Sequence, residues 1–155
     1  MKVYFSSSWS SINTLFYFYL RYGEIFGAKD SRSRKSSKVV AFWYGEDGKI
    51  IDFDKIYNVP LPGEIVFFFK HIFYVDEKPY EHIFCFVDWF KMLADNERYF
   101  YGKPVEICYE KVHENRGPAS FVPIQRLKAK FISVPEEKFN KDVMVVLPRY
   151  RTLNI

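Results

Sequence analysis

Covalent or metal chemistry calls for histidine, cysteine or converging carboxylates, and this chain has three histidines and two cysteines with which to do it. His82 and Cys85 stand three apart in the strand-like run YEHIFCFVDWFKM. Side chains alternate along a strand, so this spacing sends the two to opposite faces and spoils both a shared metal and a nucleophile–base dyad. Packing roles are expected for both. His71 shares its parity with Phe69 and Phe73, as a satisfied or edge histidine does, and His113 falls in the loop-like stretch Val112 to Gly117. The one local cluster of carboxylates, Glu46, Asp47, Asp52 and Asp54, brackets a turn, where solubility explains it. No CxxC, HExxH, GxSxG or phosphate-loop pattern occurs, and the glycines are too dispersed for a dinucleotide fingerprint. The chain therefore reads as a non-enzyme with no catalytic residues, no metal and no cofactor, although a site assembled from distant residues leaves no local signature.

Binding chemistry is better represented. Lys29, Arg32, Arg34, Lys35 and Lys38 crowd into the serine-rich segment GAKDSRSRKSSK with Asp30 as its single acid, so this segment carries the whole net charge of +4. A local positive field attracts phosphate or an acidic tail, and neighbouring serines can bond phosphate oxygens. In QRLKAKFI, Arg126, Lys128 and Lys130 alternate with Leu127, Ala129 and Phe131. On a strand that pattern directs all three charges to one face about 6.7 Å apart, close to the phosphate spacing of an extended single strand. Arg149 and Arg151 flank Tyr150, pairing charge with a stacking ring. A mobile solvated loop, a plain solvent face and a solubilising tail would produce the same three patterns. Trp43, Tyr44, Trp89 and Tyr99 are the rings that a methyl-lysine cage would draw on through cation–π attraction, while most other aromatics must be core.

The elements that position these residues read mainly as strands. KVVAFWY, the turn Gly45-Glu46-Asp47-Gly48 and KIIDF form an expected hairpin. After Val59-Pro60-Leu61-Pro62-Gly63, a second hairpin is expected from Glu64–Val75, the polar turn Asp76-Glu77-Lys78-Pro79 and a return strand Tyr80–Met92. Both parities of that return strand are apolar, which places it centrally in a sheet or barrel. Val105–Lys111, Phe121–Val134 and Asp142–Leu147 are further strand candidates. Residues 12–26 are apolar on every face, so periodicity leaves helix and strand open there. The fold class is mainly β: a partly open barrel or sandwich of about seven or eight short strands with one or two short helices.

At 155 residues the chain matches one domain, with an N-terminal segment over 1–37 holding the basic serine-rich loop and a β-rich core over 38–155. Its 48% hydrophobic and 21% aromatic content is that of a folded chain. Apolar runs are too short to span a bilayer as a helix, and Arg21-Tyr22-Gly23-Glu24 supplies no small-residue cleavage site after the apolar start, so neither membrane nor secretory signal is expected. Two cysteines inside apolar runs suit a reducing, intracellular compartment.

Phe86-Val87-Asp88-Trp89-Phe90, a polar connection, SFVPIQRLKAKFISV and an apolar closing strand resemble a bromo-adjacent homology (BAH) domain over about Pro62 to Leu153. SRSRKSSKVVAFWYG, GPASFVPIQRLKAKF and DVMVVLPRYRTLNI also look like an uncharacterised module of eukaryotic proteins derived from mobile elements. The resemblance implies a β-rich, barrel-like core and a nuclear, non-catalytic role in contacting chromatin, DNA, RNA or a histone tail. It also implies that Trp89 is the peptide-binding ring to carry across, although no second cage aromatic aligns. The leading expectation is thus a nucleic-acid or chromatin module. A protein-interaction domain using exposed aromatics, or an enzyme with an unrecognised site, would reveal itself by an apolar patch or by a deep pocket at His71, His82 or Asp88.

Overall fold

The structure is a computed structural model that describes residues 12–21, 24–31, 36–42, 60–94, 96–99, 105–138 and 141–149. The apolar segment left open between helix and strand is extended. It forms β1 (Ile12–Phe16), β2 (Phe18–Arg21) and β3 (Glu24–Gly27), of which β2 and β3 pair as a separate two-stranded sheet. Next come β4 (Lys38–Ala41), β5 (Leu61–Val75), β6 (Lys78–Met92), β7 (Ile107–Glu114), β8 (Phe121–Pro123), β9 (Leu127–Lys138) and β10 (Lys141–Arg149). The expected first hairpin is described only at β4, since its turn and return strand lie outside the described residues. Ten strands are described instead of seven or eight, and β5 and β6, at 15 residues each, are not short.

Six of these strands close a barrel in the order β5, β4, β9, β10, β7, β6, with β6 returning to β5. The expected partly open barrel is thus a closed one, which leaves its six strands no free edge within the ring. Val40, Phe90, Cys108, Ala129, Phe131, Met144 and Val146 come from strands on opposite sides of the ring and fill it as one buried cluster. A larger cluster lies on the outer face of β4, β5 and β6. There Val39, Ile65, Phe68, Cys85, Val87 and Trp89 are covered by Phe26 of β3 and by Val122 and Ile124 from beyond β7. The double-sided burial expected of the return strand is therefore real: Phe90 belongs to the filling and Trp89 to the outer cluster.

Gly63 shows how tightly the seam between β5 and β6 is drawn. It pairs with Trp89, and a Cβ placed on it would stand 2.4 Å from Val87 Cγ1 and 3.1 Å from Trp89 Cε3. Past the seam the two strands run on together as an arm, flanked near its base by β1 on β5 and by β8 on β6. The turn at the tip is shorter than expected: only Asp76 and Glu77 turn, at φ 48° and 64°, while Lys78 and Pro79 already belong to β6. Positive φ at both central residues matches the right-handed twist of the strands, which explains how two residues suffice.

Two further boundaries differ from expectation. The strand expected over Phe121–Val134 breaks after Pro123 into a single 3-10 turn, Ile124–Arg126, which lets both Ile124 and Leu127, three apart, enter the outer cluster. That turn and a second one at Gly117–Ser120, which opens with Gly117 at φ 55°, stand where short helices were expected. His113, expected in a loop, is paired in β7 opposite Phe90.

Candidate nucleic-acid interface

Sheet register brings together basic residues that lie about a hundred positions apart in sequence. β9 runs between β4 and β10, so Lys130 stands opposite Val39, next to Lys38, on one side and opposite Arg149 on the other. Of the ten candidate phosphate-binding residues, Lys38, Lys128, Lys130 and Arg149 therefore share three neighbouring strands. Arg126 departs from the expected alternation, because it occupies the 3-10 turn before β9 and its carbonyl accepts the Phe42 N–H. Arg32, Arg34, Lys35 and Arg151 lie outside the described residues.

Not all of these charges face outward. Lys130 Nζ pairs with Glu24 at 3.0 Å, donates to the Ile25 carbonyl at 3.2 Å and sits 5.8 Å from the Phe26 ring, so it ties β3 to the barrel. Lys29 pairs with Asp88 at 3.4 Å, and its backbone N–H bonds the Ile65 carbonyl. Lys29 and Lys130, two of the expected phosphate ligands, thus each already carry a carboxylate partner, with which a phosphate would have to share the ammonium. Lys38 differs: its ammonium donates to Ser133 Oγ at 2.7 Å and to the Met144 sulfur at 3.8 Å, above the Phe90 ring. Lys128 and Arg149 are exposed.

A cleft of about 980 Å³ opens against this face. Lys38, Lys130, Arg149 and Lys111 line it together with Ser36, Ser133, His113, Glu64 and Glu110, above Phe90 and Phe131. Its size is that of a small-ligand or single-nucleotide site. Lys111 is held at 3.4 Å by Asp142, and the His113 ring lies against Phe90 with centroids 4.8 Å apart. Lys111 and Ser133 were missed by sequence reasoning because neither belongs to a basic cluster; the signal that locates them is strand pairing, which sequence periodicity does not carry.

Trp89 does not line a cage. It is 2% exposed, packed in the outer cluster, and its indole N–H donates to the Ala119 carbonyl at 3.1 Å. Its ring is needed to fill the core, so the peptide-binding role carried over to it from the BAH resemblance is corrected. Tyr99 is exposed but already takes the Arg98 guanidinium, 5.7 Å from its ring, and Trp43 and Tyr44 lie outside the described residues.

A ladder of paired aromatics, half-buried apart from buried Phe69 and exposed Tyr80, lies instead on one face of the arm. Phe67 stacks on Phe86 at 5.3 Å, Phe69 on Phe84 at 5.5 Å and Phe73 on Tyr80 at 5.8 Å, and His71 faces His82 between them in register. Phe121 of β8 closes the base of this ladder edge-on, 5.2 Å from Phe86. Cys85 points to the opposite side, into the core. Burial pushes both thiols up, that of Cys108 to about 12 with help from the neighbouring Glu106 charge, so neither is a thiolate near neutral pH. Burial likewise raises the Glu106 carboxyl, against the opposing pull of its 2.7 Å ion pair with Arg98. Among the described residues no three histidines, cysteines or carboxylates converge as metal ligands, and no helix is long and apolar enough to cross a membrane.

A closed six-stranded barrel with a projecting aromatic hairpin and a basic cleft is thus the class of molecule that fold and site define. A scan of the chain against protein-family models found no match, and neither did searches of curated proteins and of solved structures.

Proposed function

We propose that this domain is a non-catalytic module that binds nucleic acid, free or in chromatin, across the face formed by β4, β9 and β10. The observation that carries the reading is the cleft whose lining gathers Lys38, Lys111, Lys130 and Arg149 from four strands. Backbone phosphates are bound by cations gathered in this way. A BAH-like ancestry and a nuclear location go with this reading and rest on the sequence resemblance alone. The high-pKa thiols and the separation of His113 from the His71–His82 pair favour binding over catalysis.

The test is fluorescence anisotropy with labelled single-stranded DNA, duplex DNA and RNA over a salt series, beside a Lys128→Glu, Arg149→Glu variant. Binding that weakens with salt, with a slope reduced by about two in the variant, supports the module. No binding at low salt removes it. The second reading, a protein-interaction domain, is favoured by the aromatic ladder of the arm, whose outermost ring, Tyr80, is 45% exposed. Salt-insensitive capture of a protein partner, lost on Phe73→Ala, Tyr80→Ala, would favour that reading.

A further inference from the structure

We infer that Lys38 and Ser133 form a seat for a phosphoryl group in the wall of the cleft. The inference rests on the nucleic-acid reading for its choice of anion. An ammonium has three donors, and among the described residues those of Lys38 bond neutral partners: a serine oxygen at 2.7 Å and a thioether sulfur at 3.8 Å, the latter a weak acceptor. Its cross-strand neighbour Glu64 is the obvious counter-ion, yet the Glu64 carboxylate accepts from Ser37 Oγ at 3.0 Å and no ion pair forms with Lys38.

The half-buried charge of Lys38 therefore lacks a bonded carboxylate among the described residues, while the cleft gives an incoming anion access to it. Ser133 adds directionality. Its oxygen already accepts from Lys38, so its own hydroxyl proton is left to donate to the same anion. Arg149, at the rim, supplies a second cation for a group bearing more than one oxygen. Glu110 in the same lining opposes anions and sets the seat's affinity from the other direction.

The experiment is amide chemical-shift mapping of the folded domain with inorganic phosphate, a 5′-phosphorylated oligothymidylate and the same oligomer with a 5′-hydroxyl. Saturable shifts at Lys38 and Ser133 are expected. Lys38→Met should weaken binding about tenfold and Lys38→Arg should largely retain it, since a charge-assisted contact is lost only in the first. Ser133→Ala should weaken binding and Glu110→Gln should strengthen it, and these milder changes read the seat even if Lys38→Met does not fold. Equal response to both oligomers identifies an internal phosphodiester as occupant, and response to the phosphorylated one alone identifies a terminal phosphate; either supports the seat. Wild-type affinity in a folded Lys38→Met, or oligomer binding that leaves Lys38 and Ser133 unshifted, overturns it while leaving nucleic-acid binding intact. Conversely, shifts with inorganic phosphate but no oligomer binding would retain the seat and discard the nucleic-acid reading.

Discussion

Adding one methyl group at Gly63 tests the barrel closure directly. An alanine Cβ there would lie 2.4 Å from Val87 Cγ1 and 3.1 Å from Trp89 Cε3, and 3.2 Å from the Asp88 carbonyl oxygen. Val87 and Trp89 are themselves buried, so neither has room to retreat without moving β6 off β5. Overpacking of this kind costs about 1–3 kcal/mol, and the 2.4 Å approach puts Gly63→Ala at the upper end, about 3 kcal/mol. For a chain of this size that is a fall of about 6–12 °C in Tm. Val87→Ala alone leaves a cavity and costs about 2 kcal/mol, yet it removes the very carbon that obstructs the new methyl. The double variant should therefore lose at least about 1 kcal/mol less than the two single changes added together. Urea unfolding of the four proteins in parallel gives the coupling energy. Strict additivity, or a Gly63→Ala protein as stable as the parent, would refute this account of the seam.

Other expectations follow from single contacts. Glu77→Gly should stabilise the fold by up to about 1 kcal/mol in thermal unfolding, because Glu77 sits at φ 64° where glycine carries no steric penalty. Trp89→Phe should cost about 1–3 kcal/mol, from the lost bond to Ala119 and the unfilled volume, and should leave nucleic-acid affinity unchanged when both are measured on one preparation. A double-mutant cycle on Lys130→Met and Glu24→Gln should yield no more than about 1 kcal/mol of coupling, shrinking as salt is added. The Cys108 thiol is raised in the folded state from 9.0 to about 12, so folded protein holds its proton where the unfolded chain gives it up. Stability from this group is unaffected below about pH 9 and declines as pH rises from there towards 12, and Cys108→Ala should flatten that decline in unfolding curves.

Much of this fold is legible in the sequence because β-structure writes its turns and alternation locally. Asp76-Glu77 between two long apolar runs marks the arm, and the two-sided apolar pattern of Phe84 to Phe90 marks a strand inside a sheet. Ring closure is not legible, because β4 must join β9 some ninety residues away, and nothing in either strand names its partner. The same holds for the site. Alternation places Lys128 and Lys130 on a common face, but the consumption of Lys130 by Glu24 depends on a contact across more than a hundred residues. Arg126 fails for a local reason: Pro123, at φ −58°, leads into the 3-10 turn that ends the alternation before Leu127. Trp89 fails because a ring suited to a ligand is equally suited to a core, and only burial tells the two apart.

Closure also decides where this protein is vulnerable to sticking to itself. Every strand of the ring has a neighbour on both sides over part of its length, and among the described residues two stretches run on beyond a partner: the distal arm, past His71 on β5 and before Phe84 on β6, and β9 beyond Phe131, where β4 has ended; of the two, the arm is the aromatic one. That tip carries an aromatic face and would be a natural template for amyloid-like strand addition. Asp76, Glu77, Lys78, Pro79 and Glu81 are all exposed there, putting four charges and a residue without an N–H at the place where an incoming strand would begin to pair. These five residues act as gatekeepers, allowing an aromatic hairpin to stand in water without recruiting its own kind.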